Sequence, residues 1–196
     1  MKSLGRRSIE ELLNALGALL EAAGQSDSIV IVGGASLNLL GLIQRTTQDV
    51  DVVARAERGE RDWTFVKAEP FPEPLKTAVG TVARDFGLSE DWMNTKVAGQ
   101  WGELPQFLFQ DLEWRTYGSL KVGIAARRTL IALKLHAAVD RDSRSVHYQD
   151  LLELSPTDTE LEEVRQVVVS QDAGPDFPKL VEEAVSRVKR DLKRNR

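Results

Sequence analysis

A single stretch does most to limit what this 196-residue chain can fold into. The apolar run Ile29-Val30-Ile31-Val32 stops at Gly33-Gly34, and after 14 intervening residues comes Asp49-Val50-Asp51-Val52-Val53. Short β-branched runs bounded by glycine read as buried strands. Side chains two apart on a strand share a face, so Asp49 and Asp51 aim their carboxylates at one region. Like charges that close repel and raise each other's pKa, so the pair calls for a positive partner. Hard oxygen ligands select Mg²⁺ or Mn²⁺. A glycine turn brings backbone amides close to anionic oxygens, because glycine has no Cβ to hold them away. The combination points to a metal–triphosphate site, against the plainer readings of a tight packing turn and a polar strand face paired with Lys or Arg.

Around this unit the periodicity predicts a mixed α/β domain with a helical C-terminal part. Ser8-Ile9-Glu10-Glu11 has the pattern of a capping box and opens a helix through Leu20, with Gly24 as its stop. A strand over 28–32, a helix from Ala35 to Leu42 and a strand over 49–54 follow. Residues 55–74 carry Pro70, Pro72 and Pro74 and read as irregular. Leu75 to Phe86 reads as a helix closed by Gly87, and 91–106 as a loop or short helix. Strands are expected over 107–115 and 119–124, then an apolar helix from Arg127 to Val139 and helices near 145–154, 158–170 and 176–194. The expected organisation is an α/β core over 1–125 and a helical part over 126–196 packed with it as one unit.

The net charge of −4 is no general attraction for nucleic acid, which leaves local basic patches as the only electrostatic route to it. The absence of cysteine removes disulfides, zinc thiolates and thiol nucleophiles, and fits a cytoplasmic protein. The basic start Met1–Arg7 is followed by a run broken by Glu10, Glu11 and Asn14, so neither a signal peptide nor a membrane span is expected. His136 and His147 are read as structural or surface residues.

The stretch GGASLNLLGLIQRTTQDVDVV resembles the polymerase-β-like nucleotidyltransferase superfamily. The closer likeness is to small prokaryotic nucleotidyltransferase toxins of abortive-infection and toxin–antitoxin systems, and to an uncharacterised domain family near them. Trp92-Met93-Asn94, Tyr117-Gly118-Ser119-Leu120-Lys121-Val122, the helix around Leu133-Lys134-Leu135 and Asp150-Leu151-Leu152 support it. The resemblance implies transfer of a nucleoside monophosphate from an NTP to a hydroxyl, with Asp49 and Asp51 holding Mg²⁺ or Mn²⁺. It implies phosphate contacts from Gly33, Gly34 and Ser36, and weaker roles for Arg45 and Lys134 at the triphosphate. A third acid is expected from a neighbouring strand; Asp111 and Glu113 are candidates, with Glu113 preferred for the catalytic set. Asp150 is expected to pair with Lys134 or Arg141. The acceptor implied is tRNA or a protein hydroxyl, with an antitoxin protein as partner, and the basic tail over 186–196 reads either as helix-dipole complement or as an RNA-facing edge. The alternative is a degenerate module of the same fold that binds nucleotide or a partner without transfer.

Overall fold

The computed structural model describes residues 3–59, 63–105, 107–172 and 174–194. Arg61, in the charged stretch after Arg55, and Asn195-Arg196, at the end of the basic tail, lie outside the described residues. Among the described residues no helix is long and apolar enough to cross a membrane.

The fold class is mixed α/β. Two compact units divide the chain: Met1–Trp101 with Phe109–Ala125, and Gly102–Leu108 with Ala126–Arg196.

The first unit is built on a six-stranded sheet. Its strands are β1 (Asp27–Val32), β2 (Val50–Arg58), β3 (Trp63–Lys67), β4 (Met93–Asn94), β5 (Leu112–Tyr117) and β6 (Leu120–Ala125). The order is β3-β2-β1-β6-β5, with β4 added to β2. β1 runs parallel to β6 and β2 parallel to β4, and the other pairs are antiparallel. Ile29, Ile31, Val50, Val52, Val122 and Ile124 fill the face that packs on α1 (Arg6–Ala22) and α3 (Glu73–Phe86). The short α2 (Gly33–Leu39) follows β1 directly.

Several boundaries differ from the expected ones. α1 begins at Arg6 behind Gly5, an N-cap position with no side-chain cap, and Glu11 pairs with Arg7 at 3.2 Å instead of closing a box with Ser8. The reason lies just upstream: Leu4 exchanges backbone hydrogen bonds of 2.7 and 2.9 Å with Thr47, so the chain stays extended to Leu4 and turns at once into helix. α2 starts earlier than Ala35 and ends at Leu39. β2 extends to Arg58 because β3 pairs with it over Ala54–Arg58, and β3 itself lies in the stretch expected to be irregular. The strand expected over 107–115 begins only at Leu112; residues 107–110 form a turn. Gly24 and Gly87 end α1 and α3 with positive φ, as expected.

Gly17 is required by packing rather than by conformation. A Cβ there would lie 1.6 Å from the carbonyl oxygen of Tyr117, so glycine lets α1 rest on the β5–β6 turn.

The second unit has α4 (Arg127–Ala138), α5 (Val146–Leu154), α6 (Asp158–Val169) and α7 (Phe177–Arg194). Leu130, Ile131, Leu135, Leu151, Leu161, Val164, Val181, Val185 and Val188 are buried in it. Thr157 and Glu160 form a full capping box on α6, and Ser145 caps α5. Arg127 ties α4 to Glu160 at 2.7 Å and to the Leu154 carbonyl at 2.8 Å.

Candidate functional site

The expected glycines and acids meet at the end of β1. Gly33 takes φ +71°, the left-handed region that favours glycine, and a Cβ there would lie 2.5 Å from Oδ2 of Asp51. Asp51 pairs in register with Val32, the residue before the turn, and so its half-buried carboxylate lies against the Gly33 backbone. Gly34 makes an equally close approach: its missing Cβ would lie 2.7 Å from Oγ1 of Thr47.

The loop between α2 and β2 is pinned from several sides. Asn38, buried in α2, donates to the carbonyls of Gly34 at 2.9 Å and Arg45 at 3.0 Å. Thr47 is bridged to Leu4 and its hydroxyl donates to the Asp49 carbonyl at 3.3 Å. Arg45 donates to the Thr46 carbonyl at 3.0 Å, and its guanidinium approaches the Gly34 position. Ser36 is fully buried, and its Oγ has no hydrogen-bond partner among the described residues.

Two residues not among the expected site residues complete the arrangement. Asn94 pairs in register with Asp51 through β4, and its amide donates to Oδ2 of Asp49 at 3.2 Å. Its own Oδ1 accepts from the Lys96 backbone at 3.0 Å. The Lys96 ammonium bonds Asp91 at 2.6 Å, and Asp91 also accepts from Ser89. That hydrogen bond to Asp91 is the main reason Lys96 holds its proton above the ordinary lysine range, and the charges of Asp49 and Asp51 act in the same direction. The Asp91 carboxyl is correspondingly held below its usual range, by Lys96 and then by Ser89. The sequence shows Asn94 only inside Trp92-Met93-Asn94 and gives Lys96 no distinguishing signal. Both become neighbours of the acids only when β4 pairs with β2.

Glu113 is not brought to this site. It pairs with Ile124, Ile124 with Ile31, and Ile31 with Val52. Val52 is next to Asp51 and therefore faces the other side of the sheet. The Glu113 carboxylate is held there by Arg115 at 2.6 Å, and Arg115 also donates to the Leu39 carbonyl at 3.1 Å and lies 3.5 Å from Glu10. Asp111 is exposed in the bend before β5. Among the described residues no third Asp, Glu or His gathers with Asp49 and Asp51.

Lys134 belongs to the second unit. It is buried there and ion-paired with the fully buried Asp150 at 2.7 Å. Arg141 is exposed. His136 lies against Phe177, with ring centroids 5.7 Å apart.

The donor set fits a magnesium-sized cation. Mg²⁺ is commonly held by one or two carboxylates with waters and substrate phosphates supplying the rest, so two acids beside an open glycine turn meet the requirement without a protein cage. The half-buried Asp51 carboxylate against Gly33 is the observation behind that fit.

No family model matches the chain, and no curated protein matches it. Among solved structures, the chain is similar to an antigenic nucleotidyltransferase-like protein from Paracoccidioides brasiliensis: 16% identity and TM-score 0.47, with 92% of this chain and 95% of that chain covered. A likeness at that level leaves the functional reading to the chemistry of the site itself.

Proposed function

We propose that the Gly33–Gly34 turn with Asp49 and Asp51 is a divalent-metal-dependent nucleotide site, and that the protein transfers a nucleoside monophosphate from an NTP to a hydroxyl acceptor. The observation that carries the proposal is the contact of the Asp51 carboxylate with the positive-φ Gly33 backbone, since a Cβ at that point would close the gap. Asp49 and Asp51 would hold Mg²⁺ or Mn²⁺, which supplies charge neutralisation for the triphosphate and for the departing pyrophosphate. Asn94 fixes the rotamer of Asp49. The backbone of Gly33 and Gly34 admits phosphate oxygens, and Lys96 and Arg45 offer cations to the same charge. In the transfer an acceptor oxygen–Pα bond forms as the bond from Pα to the bridging oxygen of pyrophosphate breaks; pyrophosphate leaves, and the acceptor hydroxyl's proton passes to solvent water. These residues position and neutralise; none forms a covalent intermediate. The acceptor read from the family resemblance is tRNA or a protein hydroxyl, in the setting of a toxin–antitoxin pair.

One observation favours a second reading, nucleotide binding without transfer: no third acid joins the pair among the described residues. Incubation with each α-labelled NTP, Mg²⁺ or Mn²⁺, and tRNA or cell extract separates the two. Transfer by the wild type that falls by at least about 10²-fold in Asp49→Ala/Asp51→Ala supports the enzyme. Saturable metal–NTP binding with no transfer supports the binding module.

A further inference from the structure

At the opposite end of the same strands lies a cavity of about 470 Å³, within the usual size range of small-molecule sites. It is lined where β1 and β6 begin and β2 ends. β-strands rise about 3.3 Å per residue, so the steps from Asp27 to Val32 set the two sites roughly 16 Å apart along β1.

Among the described residues its charges do not cancel. Arg55 is neutralised within the wall, by Asp27 at 3.1 Å and Glu57 at 3.7 Å. Arg58 and Lys121 also line the cavity, both are exposed, and neither has an ion-pair partner among the described residues. The Lys121 ammonium instead rests 5.6 Å from the Trp63 ring centroid. Trp63 is stacked on Trp114, with centroids 5.1 Å apart and planes 18° from parallel. Trp114 reaches it across Gly123, where a Cβ would come within 3.1 Å of the indole. The wall is thus a supported aromatic plate. Ser28 and Ser119 add hydroxyls to the rim. Surplus cations, hydroxyls and a supported indole are what binds a phosphate attached to a flat ring.

We propose that this cavity binds a phosphorylated nucleotide unit, with Arg58 and Lys121 on the phosphate and Trp63 beside the base. Two sources share that chemistry: a free mononucleotide, and a nucleotide within an RNA strand. The site does not depend on Asp49 and Asp51.

The test therefore uses the full chain carrying Asp49→Ala/Asp51→Ala, without divalent metal, so that the first site is silent. AMP and a short single-stranded oligoribonucleotide are titrated by calorimetry, with indole fluorescence followed in parallel. The expected result is saturable binding, weakened about tenfold or more by Arg58→Glu/Lys121→Glu. Because both residues are exposed, thermal melting of that variant should match its parent; if it does not, Arg58→Gln and Lys121→Gln are measured singly. Binding of AMP that the oligonucleotide does not displace identifies the free nucleotide. Binding of the oligonucleotide alone, falling steeply with salt, identifies the strand. Absence of binding by both probes, or binding that charge reversal leaves unchanged, overturns the proposal. Neither result bears on the metal-dependent site, which is silent throughout.

Discussion

Gly33 is where backbone conformation and side-chain chemistry coincide. Its φ of +71° and the carboxylate 2.5 Å from its missing Cβ make any larger residue wrong twice. Gly33→Ala is expected to cost stability by about 1–3 kcal/mol and to abolish metal-dependent nucleotide binding, checked by urea denaturation and by calorimetry with Mg²⁺–ATP. Unchanged binding would separate the turn from the nucleotide site. Lys134 presents a different case. Removing it by Lys134→Met takes the ammonium away from the buried Asp150 carboxylate, and the expected loss is about 3–5 kcal/mol by denaturation. Lys134→Met combined with Asp150→Leu should recover much of that loss, because both charges then go together. The glycines and the acid pair were legible in the sequence because spacing alone brings them together across one strand–helix–strand unit. Asn94 and Lys96 were not, since they lie more than 40 residues away and arrive only through a two-residue strand. Glu113 was misplaced for a related reason: residue type and alternation do not reveal which sheet face a strand presents.

At the scale of elements, α1 makes a test of sign. Glycine inside a helix ordinarily costs about 1 kcal/mol relative to alanine, so Gly17→Ala ought to stabilise. Here the added methyl meets the Tyr117 carbonyl at 1.6 Å, and the net effect is expected to be a loss of about 1–3 kcal/mol, read from urea denaturation. The α6 cap carries a pH dependence. Hydrogen bonding by Arg127, followed by the Thr157 backbone, holds Glu160 down to about 2 from 4.5, so its folded pKa lies below its unfolded one. That stabilisation is complete above the unfolded value and is lost as pH falls from about 4.5 towards 2. The stability gap between wild type and Glu160→Gln should therefore narrow from pH 6 to pH 3; a gap constant with pH would contradict the assignment. Helices were readable from sequence because their 3.6-residue apolar period and end glycines are local. β3 was hidden by the prolines after it, and β4 by its length of two residues. The start of α1 was set by a partner outside the element, since Leu4 is bridged to Thr47.

For the molecule as a whole, no local pattern marks Gly102–Leu108 as belonging with the C-terminal helices. Phe107 and Leu108 are buried, and the Arg128 guanidinium lies 4.2 Å over the Phe107 ring, contacts that no local pattern announces. Within the first unit, one sheet end gathers the glycine turn, two carboxylates, Asn94 and Lys96 as the proposed metal–nucleotide site. Its most direct test is calorimetry of each NTP with and without Mg²⁺, on wild type and Asp51→Asn. The expected result is saturable, metal-dependent binding by the wild type that weakens about tenfold or more in the variant, whose side chain keeps its size but loses its charge. Equal NTP binding by both proteins, or none by either, would contradict it.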